Sequence, residues 1–465
     1  MMKNRFLLIF LLVTALTASA QTKTVSHKEL TLEDLNFGGN NYSNMTPENR
    51  WTTWWGDQLI RQELEACYTI NKTTGKEHVL FTLKKLNHWI GATDSCKVHS
   101  LYHVIFPYAN KSLVLVQTSK ERLLVNFKTG KIVWHQCSIG ETHQEWCPAS
   151  KAVAFVKDNQ LYVTDTKGKT RQLTTDGSRD IVYGQSVHRD EFGISKGTFW
   201  SPDGQQLAFY RMDQSMVTDY PLVDIPEIEW TPAKGQSRMA TPAPEKYPMA
   251  GETSHKVTVG VYNLKTGSIV YLKAGDPTNR YFTNIAWSPD NKTIYMFELN
   301  RDQNDCRLVS YNAQTGDKIV ELYRETDAKY VEPLHPIVFL PWNSGEFLIQ
   351  SRKDGYNHLY LFNTKGEQLK QITSGKWEVL NFLGFIPKHH SVIIESNECS
   401  PIQKDVFIVD LDNGKRALMD DNGAGWHNGS ASTSGRYIFD NYSTPTIPRK
   451  IAIVDTENGH LTPYF

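Results

Sequence analysis

An all-β fold, an eight-bladed β-propeller of four-stranded antiparallel blades, is predicted by three features of this 465-residue chain. Eight glycine turns, each following an apolar, β-rich run, recur at Gly75, Gly130, Gly168, Gly267, Gly316, Gly366, Gly414 and Gly459. Successive glycines are separated by 55, 38, 99, 49, 50, 48 and 45 residues. That spacing is the period of propeller blades, about 40–50 residues carrying a few short strands each. The third feature is an aromatic content of 11% with 12 Trp, which suits sheets packed face to face, where large rings fill the wedge between blades.

The elements follow in order. The first twenty residues have the layout of a signal peptide: Lys3 and Arg5, an apolar run from Phe6 to Leu16, and Ala18-Ser19-Ala20 before Gln21. That run is shorter than the ~20 residues of a membrane span. The expected protein is therefore exported, secreted and periplasmic in the bacterial sense, with no membrane span. A lead-in segment covers 21–46 and the propeller 47–465. Blade one spans Trp51 to Thr82, and blade two Leu101 to Trp134, with HVIFPY as a strand. Blade three runs from Glu145 to Leu173, and blade four opens at Gly197-Thr198-Phe199-Trp200. The 99-residue gap implies an insertion in blade four, at about 211–254, containing six Pro. Such a loop inside a regular array is functional or decorative. Blades five to eight follow at even spacing. Trp200-Ser201-Pro202-Asp203-Gly204 and Trp287-Ser288-Pro289-Asp290-Asn291 are near-identical tight turns, and Thr433-Ser434-Gly435-Arg436 is a degenerate copy.

Composition excludes several function classes. Lys plus Arg equals Asp plus Glu at 50 each, so no basic field would steer nucleic acid. There is no phosphate-binding glycine loop or dinucleotide fingerprint, and no cofactor is expected. The six cysteines form no CxxC or Cys/His cluster, so no metal site is expected either. Their even number permits disulfides in an oxidising compartment, with Cys137–Cys147 the expected pair.

Two stretches could carry chemistry. Gly193-Ile194-Ser195-Lys196-Gly197 matches the G-x-S-x-G nucleophile elbow, but that elbow needs a strand before it and a helix after it. Here TFWSPDGQQLAFY reads as strand, turn, strand, and no catalytic residue is expected in the chain. Upstream lies His188-Arg189-Asp190-Glu191-Phe192. Its two adjacent carboxylates could hold a ligand ammonium through charge-assisted hydrogen bonds. The alternative is a solvated loop in which Arg189 neutralises its neighbours. The histidines show no ligand spacing, and His427 reads as a packing residue at a blade edge.

Several segments resemble the N-terminal propeller of dipeptidyl peptidase IV-type serine exopeptidases, including the prolyl tripeptidyl peptidases. They are RMDQSMV (211–217), YPLVD (220–224) and KYPMAGE (246–252), together with VHRDEFGISKGTFWSPDG (187–204). The resemblance covers essentially everything after the leader. It implies a propeller that caps an α/β-hydrolase domain and admits short peptides. It also implies an acidic pair that grips the substrate's free amino terminus. On this resemblance Glu191 is the first choice for that grip and Asp190 the second. Arg189 beside them turns to solvent or pairs with Asp190. The family often carries two Glu here, and Gln214 replaces its usual Glu.

The resemblance further implies that the hydrolase domain, with its Ser, Asp and His, would begin where this chain stops. The expected function is thus the non-catalytic, substrate-gating propeller of an exported exopeptidase acting on Pro-containing peptides. Expected partners are short peptides with a free amino terminus and a serine hydrolase domain, possibly on a separate chain. A homodimer is expected through the face left uncovered. The alternative is a stand-alone peptide- or protein-binding propeller, a pseudoenzyme.

Overall fold

The computed structural model describes residues 28–138, 140–225, 239–420 and 424–464. The expected leader, and part of the Pro-rich centre of the insertion, lie outside the described residues. The chain divides into two compact units, residues 1–49 and 50–465. In the first, a single helical turn at Leu32–Leu35 is capped by Thr31, whose hydroxyl accepts from the Asp34 N–H while Asp34 accepts from the Thr31 N–H. Lys28 Nζ reaches Asp34 Oδ1 at 2.7 Å.

The second unit is nearly all β and forms eight antiparallel blades. They span Trp51–Thr82, Leu113–Cys137, Thr142–Gln172, Ile181–Tyr271, Arg280–Thr326, Val338–Gln371, Val379–Leu418 and Trp426–Pro463. The eight glycine turns close the last hairpin of each blade. In every one an Asn or Asp side chain, three or four residues ahead of the glycine, accepts backbone N–H groups. Asn71 Oδ1 takes Thr73 and Thr74 at 3.0 Å each, and the same bonding recurs at Asn126, Asp165, Asn263, Asn312, Asn363, Asp410 and Asp455. The side chain satisfies donors the hairpin would leave bare.

The repeated Trp turns stitch neighbouring blades together. Ser201 and Ser288 each bond the Asp two residues on (2.7 and 2.6 Å), and each accepts the backbone N–H that restarts the strand. The preceding indoles reach back one blade, Trp200 to the Glu145 carbonyl at 3.1 Å and Trp287 to the Phe199 carbonyl at 3.0 Å. The apolar core is divided into clusters that lie between successive blades, one at every seam but that of blades two and three. There Trp146 packs on Trp134 and Tyr108 instead.

Blade eight closes on blade one through Leu59, Ile70, Phe439, Ile451 and Ile453. Polar contacts frame this seam. Trp54 Nε1 donates to Ser430, and the Ser434 hydroxyl and N–H both donate to Asp57 (2.7–3.1 Å). Burial raises the Asp57 pKa, but those donors outweigh it and hold the carboxyl below its usual range.

Four details depart from the sequence reading. Blade two has three strands, and HVIFPY contributes only a bridge from Ile105 to Leu115; Pro107 supplies no N–H to continue it. A helix, Leu83–Trp89, follows blade one, capped by Thr82 and burying Leu83 and Leu86. Blade four gains an inner strand, Ile181–Tyr183, ahead of its expected start. The six cysteines are free thiols, so Cys137 and Cys147 are not paired: Cys137 is exposed on a strand while Cys147 is buried against Gly204.

Packing rather than hydrogen bonding should dominate ring closure. Ile453→Ala is expected to lower the unfolding free energy by about 2–5 kcal/mol, and Asp57→Ala by about 1 kcal/mol, measured by urea unfolding at pH 7. A larger loss from Asp57→Ala would contradict this. The Asp57 contribution should be fully present above pH ~4 and disappear as pH falls through its depressed folded value.

Candidate functional site

Between the first two strands of blade four, Ile181–Tyr183 and Thr198–Trp200, the chain takes a backbone that L-residues rarely adopt. His188, Arg189 and Asp190 form a tight left-handed turn with φ of 54°, 60° and 62°, and Phe192 follows at 57°. Each such non-glycine residue costs roughly 1 kcal/mol or more, so the surroundings must impose the turn. They do so from below. Phe192 and Ile194 are buried in the seam cores on either side. His188 is buried too, its Nε2 accepting the Phe282 N–H at 3.2 Å and its Nδ1 lying 2.7 Å from His255 Nε2. Because Nε2 accepts, the His188 proton sits on Nδ1 and is donated to His255.

On this support Asp190 and Glu191 project outward, both exposed. Asp190 faces a cleft of about 650 Å³ that also includes Glu145, Ser195, Lys196 and Glu245. Glu191 faces a second cleft of about 500 Å³, walled by Tyr247, Tyr281, Arg301 and Asp302. Both volumes fall in the range of small-ligand pockets. Arg189 stands between them and belongs to both. Its guanidinium pairs with Glu245 at 2.5 Å and lies 5.0 Å over the Tyr247 ring; both partners come from the blade-four insertion. Arg189 is thus engaged mainly with the insertion, and its interaction with Asp190 is coulombic only. In the larger cleft, Glu145 is likewise held by Lys196 (2.6 Å) and Thr198 (2.8 Å). Among the described residues, the side chains of Asp190 and Glu191 take no hydrogen bond or ion pair.

No positive charge sits beneath them. Burial, then the neighbouring His255, pushes His188 well below the usual histidine range. Burial, then Arg301 and Arg189, takes His255 down to about 4. Both rings are neutral at ordinary pH.

The insertion leaves blade four between Gln206–Asp213 and Lys256–Asn263, two strands that pair directly with each other. Among the described residues of the insertion, Asp219–Tyr220 pairs with Glu245–Lys246 and Val223–Asp224 with Thr241–Pro242. Arg179 fastens it through Asp219 (2.6 Å) and the Pro244 carbonyl (2.7 Å).

Ser195 lines the larger cleft but is followed by strand Thr198–Trp200, and no helix supports it. Its flanking glycines have a structural reason. A Cβ on Gly193, where φ is +71°, would lie 2.1 Å from the Leu334 carbonyl oxygen, and one on Gly197 would lie 2.0 Å from that of Gln185. The motif spacing thus records two close backbone approaches. His427 is fully buried, bonded to Asp440 and stacked on Tyr442 at 4.3 Å. Sequence reasoning missed Glu245, His255, Tyr281 and Arg301, which come from the insertion's return strand, the linker after it and blade five. Only Tyr247 lay inside a recognisable stretch, KYPMAGE.

Two outcomes are expected. Gly197→Ala should destabilise the fold by about 1–3 kcal/mol through overpacking, while Ser195→Ala leaves stability unchanged and a fluorophosphonate probe leaves Ser195 unlabelled. Acidification should also weaken the fold between pH 6.5 and about 4. There the unfolded histidine takes up a proton that native His255 refuses, so stability is lost as pH falls. Denaturant midpoints at pH 7, 5.5 and 4 should show a shallower decline for His255→Asn.

The chain is similar to known proteins over most of its length. A probable dipeptidyl-aminopeptidase B from Talaromyces marneffei is 28% identical over 326 residues, covering 65% of this chain and 36% of the relative. A solved structure of a candidate dipeptidyl aminopeptidase IV from Bacteroides ovatus superimposes with a TM-score of 0.83 at 41% identity, over 94% of this chain and 62% of that one. Porphyromonas gingivalis dipeptidyl peptidase 4 shares the fold, with a TM-score of 0.73 at 22% identity and the same coverage. The chain thus spans about a third of the fungal relative and under two thirds of the solved structures. Residues 105–449 match the family described as the dipeptidyl peptidase IV (DPP IV) N-terminal region. This chain belongs to that family, as its propeller region.

Proposed function

We propose that this propeller is the non-catalytic, substrate-gating part of an exported dipeptidyl- or tripeptidyl-peptidase-like serine exopeptidase, and that it grips the amino terminus of short Pro-containing peptides. One observation carries the reading. Asp190 and Glu191 are adjacent carboxylates without partners, held out on a strained turn beside two peptide-sized clefts. A carboxylate with no internal partner is free to take an ammonium, and a charge-assisted bond is stronger than a neutral one. Fixing the pair on a turn anchored by buried His188 and Phe192 removes much of the ordering cost on binding. Arg189, held by Glu245 and Tyr247, divides the clefts and positions the pair rather than binding the amine itself.

Cleavage belongs in this reading to a serine hydrolase domain, in the same polypeptide or on another chain. Among the described residues there is no parallel sheet layered with helices to supply one. The family membership and the greater length of the relatives support this division of labour. Export, to the periplasm, rests on the amino-terminal sequence alone.

The test is binding of a Xaa-Pro peptide with a free amino terminus, followed by calorimetry. Glu191→Gln and Asp190→Asn should each weaken it by roughly tenfold or more, and N-acetylation of the peptide should do the same. Affinity should also decline above pH ~8 as the α-amine loses its proton. Equal binding of the acetylated peptide would refute the grip.

A further inference from the structure

The seam between blades two and three lacks the buried apolar cluster that fills every other seam, and a cavity lies there that the amine grip does not use. Blade two has no complete first strand, so among the described residues the inner edge of Leu113–Gln117 meets only the bridge from Ile105. The hollow left there has a volume of about 470 Å³ and is walled by Ile105, Pro107, Leu115, Val116, Trp146 and Pro148. Ile105 is 56% exposed. A mostly apolar cavity with a few polar groups is the usual form of a small-ligand site.

A guanidinium belongs to this apolar wall. Arg122 Nε donates to Gln117 Oε1 at 3.1 Å and Nη2 donates to Gln144 Oε1, and both acceptors are neutral amides. Among the described residues Arg122 forms no ion pair, and its Nη1 takes no hydrogen bond. Glu141 acts on it only through space, its own carboxylate accepting Gln144 Nε2 at 3.0 Å. Burial therefore pulls the Arg122 pKa down, and Glu141 recovers only part of that shift. Glu145, the acid in the wall, is already taken by Lys196 and Thr198. A half-buried cation without a counter-ion is costly, and an entering carboxylate relieves that cost.

We infer that this hollow is a carboxylate site, which takes the free carboxy-terminal residue of a short peptide when that residue is apolar. Resting on the amine grip proposed above, the site adds the opposite end of the ligand. The cleft that Asp190 faces and this hollow share Gln144 and Glu145 in their walls, so an anionic and a cationic site adjoin along strand Thr142–Trp146. The terminal side chain packs on Ile105, Leu115 and Trp146. Its carboxylate bonds Arg122 through Nη1 and the remaining Nη2 proton, the two-pronged geometry that a guanidinium offers. A tripeptide spans at most roughly 10 Å, and a longer chain carries its carboxylate away from the grip. The ligand class is thus the short peptide with both ends free that an exopeptidase of this kind releases, rather than the longer chain it receives.

The experiment is calorimetry of the purified full chain with the tripeptide Ala-Ile-Pro, its carboxy-terminal amide and its N-acetyl form. The amide should bind roughly tenfold or more weaker than the free acid. Arg122→Gln should erase that difference and leave the effect of N-acetylation intact. Ile105→Asp changes an exposed position and so spares the fold. By placing a like charge in the hollow it should weaken binding of the acid by a similar factor. Equal binding of acid and amide by the unaltered chain would overturn the carboxylate site, and so would a difference that survives in Arg122→Gln. Loss of the N-acetylation effect with the acid–amide difference intact would instead overturn the amine grip and leave this site standing. Binding by none of the three peptides would overturn both.

Discussion

The packing of blade eight against blade one is the contact on which everything else depends. Every other blade is fixed by neighbours that adjoin it in sequence, but Leu59 and Ile70 must meet Phe439, Ile451 and Ile453 from the far end of the unit. Until they do, two sheet faces stay bare and each intervening seam can slide. Once they do, the ring is under mutual constraint, and side chains at the seams are held to one geometry. The long sequence separation of this contact makes it the entropically expensive step. The Trp54–Ser430 and Ser434–Asp57 contacts fix its register rather than supply its strength.

That rigidity explains how blade four tolerates the turn after its first strand. Left-handed φ at His188, Arg189, Asp190 and Phe192 survives only because buried groups on both sides over-determine the path. His188 is tied to His255 and to the Phe282 backbone, so blades four and five hold it jointly. Strain is thereby concentrated where two carboxylates stand without partners. The neutral histidine pair underneath supports them sterically without cancelling their charge.

Two acidic groups of the molecule stand in opposite surroundings. At blade four the carboxylates are exposed, so water solvates them and a visiting ammonium can replace that water. At the seam of blades seven and eight Asp405 and Asp440 are buried, so burial and the nearby Asp420 raise the Asp405 pKa. Burial likewise raises that of Asp440, against the pull of His427. An exposed pair is suited to a ligand that comes and goes.

Sequence alone was enough for the repeat, because an Asx–Gly hairpin is local chemistry. Asn71 and Gly75 need only each other, and their seven counterparts likewise. It was enough, too, for the SPD turns, whose hydrogen bonds close within five residues. What it could not carry was anything whose partner lies a blade away. The Arg189–Glu245 pair, the His188–His255 contact and the Arg122–Gln144 contact each join residues that no periodicity links. The Leu83–Trp89 helix was passed over because seven residues of helical pattern are lost among strands. Local hydrogen bonding is encoded within a few residues and can be read there, whereas charge pairing across a seam exists only after ring closure has brought the blades together.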